Sequence, residues 1–115
     1  MTKLQVHVGE TFADMNRRIL DAVARAETGP IEPEEHLNFS SWETLLSLMS
    51  AKRFELLRQL HARPEASVAS LARTLSRDYK RVHEDVEALE NAGLIQRGEQ
   101  GLHTGYDEIR ARIAL

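Results

Sequence analysis

The segment SVASLARTLSRDYKRVHEDVEALENAGLI, residues 67–95, limits the fold more than any other part of this 115-residue chain. It holds two amphipathic periods separated by a very short break. Ser67 is placed to cap a first helix in which Val68, Leu71, Ala72 and Leu75 share one face. Ser76 or Asp78 then caps a longer helix over about residues 78–92, whose Val82, Val86 and Leu89 fall on a single face. Asn91-Ala92-Gly93 stops it, with Gly93 suited to the left-handed C′ position. Leu94 and Ile95 lead into a strand, and GEQG at 98–101 is a turn, so the chain returns on itself immediately after the second helix.

The flanks are less constraining. In KLQVHV, Leu4, Val6 and Val8 alternate with polar residues, the period of a half-buried strand. Thr11 with Asp14 resembles a capping box, and Phe12, Met15, Ile19, Ala22, Val23 and Ala26 then mark one apolar helix face that ends near Thr28. Pro30 and Pro33 among Glu32, Glu34 and Glu35 read as an acidic linker. A very short strand at 36–39 follows. Ser40 or Ser41 caps a turn or two carrying Trp42, Leu45, Leu46 and Met49. Ser50 caps a helix that buries Phe54, Leu56, Leu57 and Leu60 and closes at Arg63-Pro64, because a residue before proline avoids the α region. In the tail, Ile109, Ala111, Ile113 and Leu115 alternate with Arg110 and Arg112, a second strand. The expected class is mainly α with small β. The expected division is a strand-helix extension with its linker at 1–35 and a domain at 36–115.

Charge is distributed unevenly. The chain carries a formal −3, yet Lys52, Arg53, Arg58, Arg63, Arg73, Arg77, Lys80 and Arg81 face only Glu55, Glu65 and Asp78 between residues 51 and 83. That segment is +5 and the remainder −8, the pattern of a basic working surface on an acidic body. Two short helices in tight succession followed by a hairpin are the layout of a winged helix-turn-helix, whose second helix enters the DNA major groove. Such a helix needs an apolar face to hold it and donors for phosphates and base edges on the other.

At these residues a resemblance becomes specific. From LMSAKRFELLRQL through residue 95, the chain is similar to winged-helix predicted transcriptional regulators of bacteria and archaea, of the multiple-antibiotic-resistance regulator type. Residues 89–95, LENAGLI, match that family's L-E-x-x-G-L-I passage from recognition helix into wing. Residues 67–72, SVASLA, match its S-V-x-E-L-A helix with Ser70 in place of the acid, and residues 77–86 match a subgroup's R-D-x-x-x-V-x-x-D-V. The resemblance implies a DNA-binding regulator and covers residues 39–115. Some relatives lie beside toxin genes, which implies an alternative role as an autoregulating antitoxin gripping a toxin protein through the N-terminal segment.

The candidate DNA contacts are Lys80, Arg81, His83 and Glu84 outside the apolar face of the second helix, Arg77 and Tyr79 at its entrance, and Ser67 and Arg73 on the first. Arg97 and His103 flank the wing tip. For Arg77 the competing reading is a salt bridge with Asp78 or Asp85. Double-stranded DNA is the expected partner, bound by a homodimer whose interface lies in the N-terminal strand and helix and the tail strand. No enzyme activity, cofactor or metal is expected. His83-Glu84 begins like H-E-x-x-H, but Glu87 stands where the second histidine is needed. The chain has no Cys, no secretory leader pattern and no apolar run of the roughly 18 residues a membrane span requires, so a cytoplasmic location and no membrane contact are expected.

Overall fold

The computed structural model describes residues 3–9, 11–28 and 34–113. In chain order the elements are β1 (Lys3–Val8), α1 (Phe12–Thr28), β2 (Glu34–Phe39), α2 (Trp42–Leu48), α3 (Ala51–Ala62), α4 (Val68–Leu75), α5 (Tyr79–Asn91), β3 (Gln96–Gly98), β4 (Gly101–His103) and β5 (Glu108–Ile113). The class is mixed α/β, mostly helical, with small sheets of three and two strands among the described residues. The chain divides into two compact units, Leu46–Tyr106 and a second made of Met1–Leu45 with Asp107–Leu115. The division differs from a cut at residue 35 because β5 pairs with β1, which takes the tail out of the central domain.

In the terminal unit, β1 is the central strand of a parallel sheet of order β2-β1-β5. Leu4 stands opposite Glu35 and Ile109, and His7 opposite Asn38 and Arg112. Because side chains alternate along a strand, this register collects Val6, Leu37 and Ala111 on one face and Gln5, His36 and Arg110 on the other. Leu4, Val6 and Val8 are buried. The two strands expected at the ends of the chain therefore pair with each other, each losing an open edge that would otherwise need covering. Thr11 and Asp14 complete the capping box at the start of α1: the Thr11 amide donates to Asp14, and the Asp14 amide donates to Thr11 Oγ1. The apolar stripe of α1 is not buried. Ile19 is 54% exposed, Val23 52% and the neighbouring Leu20 68%. The Phe12 side chain and the 29–33 part of the acidic linker lie outside the described residues.

In the central unit, Leu56, Leu57 and Leu60 of α3, Val68, Leu71 and Ala72 of α4, and Val82, Val86 and Leu89 of α5 form one core with Leu94, Ile95 and Leu102. A fully buried side chain of this size contributes about 1.5–3 kcal/mol relative to exposure. Two expected core residues are outside it: Phe54 is 40% exposed and Leu46 64%. Phe54 shares α3 with a denser leucine face, and Leu45 is the buried residue of α2. β3 and β4 pair antiparallel across Glu99-Gln100, and Glu65 joins them by a bridge to Leu102. That bridge requires Gly101. Its φ is +96°, and a Cβ there would lie 2.9 Å from Ala66 Cα and overlap the Glu65 carbonyl. Among the described residues, no helix is long and apolar enough to cross a membrane.

Candidate nucleic-acid interface

The geometry of α5 is set at both ends and along its inner face. Asp78 is its N-cap, accepting from the Arg81 amide at 3.2 Å, so of the two candidate caps the aspartate is used. Ser76 instead closes α4. It adopts the left-handed conformation with φ +53°, and the Ser76 and Arg77 amides donate to the carbonyls of Arg73 and Ala72. This is a Schellman turn with serine in the place usually held by glycine. At the far end Gly93, with φ +84°, makes the same turn on the carbonyls of Glu90 and Leu89. Between them Val82, Val86 and Leu89 are fully buried.

An ion-pair cluster locks the helix in place. Asp85 accepts from Arg77 Nη2 at 2.7 Å and from Arg53 Nε at 3.0 Å, and Arg53 also donates to the Ser47 and Leu48 carbonyls. All three charged side chains are largely buried. Of the two readings of Arg77, the structure adopts the salt bridge to Asp85. A guanidinium at the entrance of α5 is drawn inward because a half-buried carboxylate lies two turns along, so Arg77 positions the helix instead of facing outward. The R-D-x-x-x-V-x-x-D-V pattern becomes legible residue by residue: Arg77 and Asp85 pair, Asp78 caps, and Val82 and Val86 pack.

The outer face then comprises Tyr79, Lys80, Arg81, His83, Glu84 and Glu87, all exposed. Tyr79 and His83 rings stand 5.9 Å apart, and His83 Nδ1 is 3.9 Å from Glu87. Arg73 is exposed on the last turn of α4, next to the interhelix turn. Among the described residues, Arg73, Lys80 and Arg81 form no salt bridge. Ser67 is exposed and caps α4 by accepting from the Ser70 amide. Arg97, on the hairpin, is held by Glu90 at 2.6 Å, and half-buried His103 packs beside Gly98. The structure thus places Arg73 on the last turn of α4, before the turn into α5, and ties Arg97 back to the end of α5.

A sequence model matches residues 48–111, more than half of the chain. The chain belongs to the HVO_A0114 family. The match takes in α3, α4, α5, the hairpin and most of β5, so the HVO_A0114 region contains the whole Asp85 cluster and leaves out β1, α1 and β2. No curated protein matches the chain, and no solved structure does.

Two groups within the HVO_A0114 region are not evident from sequence. Asp85 is legible there as one of two acids in reach of Arg77, but not as the acceptor shared with Arg53. Glu65, after Pro64, counts only as one of the few acids facing the basic run, but it is buried and accepts from the hydroxyls of Ser70 and Thr74. Those two hydrogen bonds, Ser70 first, hold its carboxyl below the usual range against the opposing effect of burial. Ser70, the residue that departs from S-V-x-E-L-A, is one of the two that satisfy it.

Proposed function

We propose that residues 46–106 are a winged helix-turn-helix that binds double-stranded DNA, with α5 in the major groove, and that the protein is a sequence-specific transcriptional regulator. One observation carries this reading. The inner face of α5 is fully buried, while Lys80, Arg81 and Arg73 of the preceding helix are exposed and, among the described residues, form no salt bridge, on either side of a hydrogen-bonded turn. Lys80 and Arg81 contact phosphates or base edges, Tyr79, His83 and Glu84 line the same face, and Arg73 reaches the backbone. Arg77 acts through Asp85. Recovery of bound DNA across the source genome with the tagged protein supplies the site. Lys80→Ala/Arg81→Ala then stays folded and binds that site weakly, with the logarithmic salt slope reduced by about 0.9 for each phosphate that is no longer neutralised. A folded double variant that binds like the parent removes α5 from the groove.

A second reading is favoured by the exposed Ile19, Leu20 and Val23 on α1, an apolar surface suited to a protein partner. The partner is a second copy, giving the paired recognition helices that a palindromic site requires, or a toxin encoded alongside. Removing residues 1–28 would take out the central strand of the sheet, so the informative variant is Ile19→Asp/Val23→Asp. Light scattering that gives a dimer for the parent and a monomer for the variant identifies the self-pairing surface. A monomeric parent that copurifies with a small protein identifies the antitoxin.

A further inference from the structure

We propose that a cleft in the terminal unit, between α1 and the polar face of the three-stranded sheet, binds a small polyanion of the diphosphate class. The topology creates the opening. β1 is followed by α1 and then β2 on one side, and β5 joins on the other, so the strand order reverses at β1. In open parallel sheets ligands bind outside the carboxyl ends of the strands at such a reversal, and His7, Val8 and Arg112 of the cleft lie toward those ends. The cleft is about 430 Å³, within the range of small-molecule sites. The parallel register places Arg110 beside Gln5 and Arg112 beside His7 along its floor.

Its charge runs against that of its surroundings. The terminal unit holds ten acidic and six basic residues, and five of those six bases, Arg17, Arg18, Arg25, Arg110 and Arg112, line this one cleft. Among the described residues, the acids that line it with them are Asp14 and Asp21. Asp14 is also engaged by the Thr11 hydroxyl and amide. Every cation in the cleft is arginine. A planar guanidinium fork fits two oxygens of a phosphate or carboxylate, whereas lysine offers only a point charge.

The two histidines arrange this charge. Arg18 Nη1 and His7 Nε2 each lie 2.9 Å from His36 Nδ1. Arginine can only donate, so His36 Nδ1 accepts from Arg18. The two rings stack with centroids 5.1 Å apart and planes 22° from parallel. Arg110 is oriented by Glu108 at 2.6 Å. Among the described residues, Arg17 and Arg112 form no salt bridge. Both act electrostatically on Asp14, so two aspartates of the lining face five guanidinium groups, an excess of positive charge that a bound anion with two or more charges balances.

Isothermal titration calorimetry of the full chain with inorganic pyrophosphate tests the site. The expected result is saturable binding at one site. Affinity falls at least tenfold in Arg17→Gln/Arg112→Gln and in Gln5→Glu, which keeps every arginine and adds a carboxylate to the floor. It is unchanged in Lys80→Ala/Arg81→Ala, so the outcome is independent of the DNA-binding reading. Absence of saturable binding overturns the proposal. Binding that survives both cleft variants, or that disappears with Lys80 and Arg81 instead, also overturns it. Melting curves of each variant establish that the protein titrated is folded.

Discussion

Helices α1 and α5 have the same kind of sequence pattern and opposite fates. Each has large apolar residues at three- and four-residue spacing and a capped start. In α5 the apolar face is completely covered, because α4, α3 and the residues leading into β3 close over Val82, Val86 and Leu89. In α1 the arginines and aspartates face the polar side of the sheet, and Ile19 and Val23 face outward. Periodicity makes a helix two-sided. Which side is covered depends on the surface nearby, and β1 offers one apolar and one polar face.

Replacing matched residues breaks or sharpens that contrast. Leu89→Ala leaves a cavity in a packed core and costs about 2–5 kcal/mol, whereas Val23→Ala at an exposed position changes stability by no more than about 0.5 kcal/mol. Urea unfolding of both variants measures the difference. Equal losses would mean that the α1 stripe is as buried as that of α5, most simply by self-association. Asp85→Ala removes the acceptor shared by Arg53 and Arg77. It costs about 3 kcal/mol, the low end for breaking a buried pair because all three groups keep some solvent contact. Asp85→Ala should also weaken binding to a recovered DNA site by more than Glu87→Ala does, since α5 loses its anchor.

A smaller effect follows from Glu65. Its folded-state carboxyl is lowered from the ordinary 4.5, so the carboxylate contributes stability above that value, and this is lost as pH falls through the lowered folded value. Glu65→Gln should flatten the acid limb of a melting-temperature profile. In the terminal unit the carboxyls of Asp14, through Thr11, and of exposed Glu108, through Arg110, are also lowered, and added salt should reduce the Glu108 share of acid sensitivity while leaving that of Glu65. An unaltered acid limb in Glu65→Gln would show that the buried carboxylate is not its source.

The smallest effect contrasts the two Schellman turns. Gly93→Ala forces a side chain into a left-handed position and costs about 1–2 kcal/mol. Ser76→Gly relieves that strain of about 1–2 kcal/mol but adds unfolded-state freedom of about 0.5–1 kcal/mol, leaving a net gain of about 0.5–1 kcal/mol. Calorimetric melting of the pair checks this. A loss at Ser76 comparable to that at Gly93 would indicate that the serine side chain contributes more than its backbone conformation.

Much of the central unit is readable in the sequence alone. Ser50, Ser67 and Gly93 do what their positions suggest, and Val82, Val86 and Leu89 form the buried face. These are local consequences of helix period, capping chemistry and backbone sterics, which a short stretch of chain carries with it. The exposed Tyr79, Lys80, Arg81, His83 and Glu84 follow from the same period. The interior partners of Arg77 and Glu65 are less accessible. Asp85 can be named as one acid in reach of Arg77, but Arg53 comes from another helix, and the Ser70 and Thr74 hydroxyls reach Glu65 only once α4 folds back over it.

The terminal unit marks the boundary most clearly. Alternation in KLQVHV and EIRARI specifies two strands with one apolar face each. It does not specify that the ends of the chain pair in parallel around β1, because strand pairing is a long-range choice made by backbone groups that are alike in every sequence. That choice carries Arg110 and Arg112 to the side of His7 and leaves the apolar stripe of α1 uncovered. Local spacing therefore dictated the elements and the face of α5. The gathering of Arg110 and Arg112 with the three arginines of α1 in one cleft arose from the pairing of β5 with β1, strands drawn from distant parts of the chain.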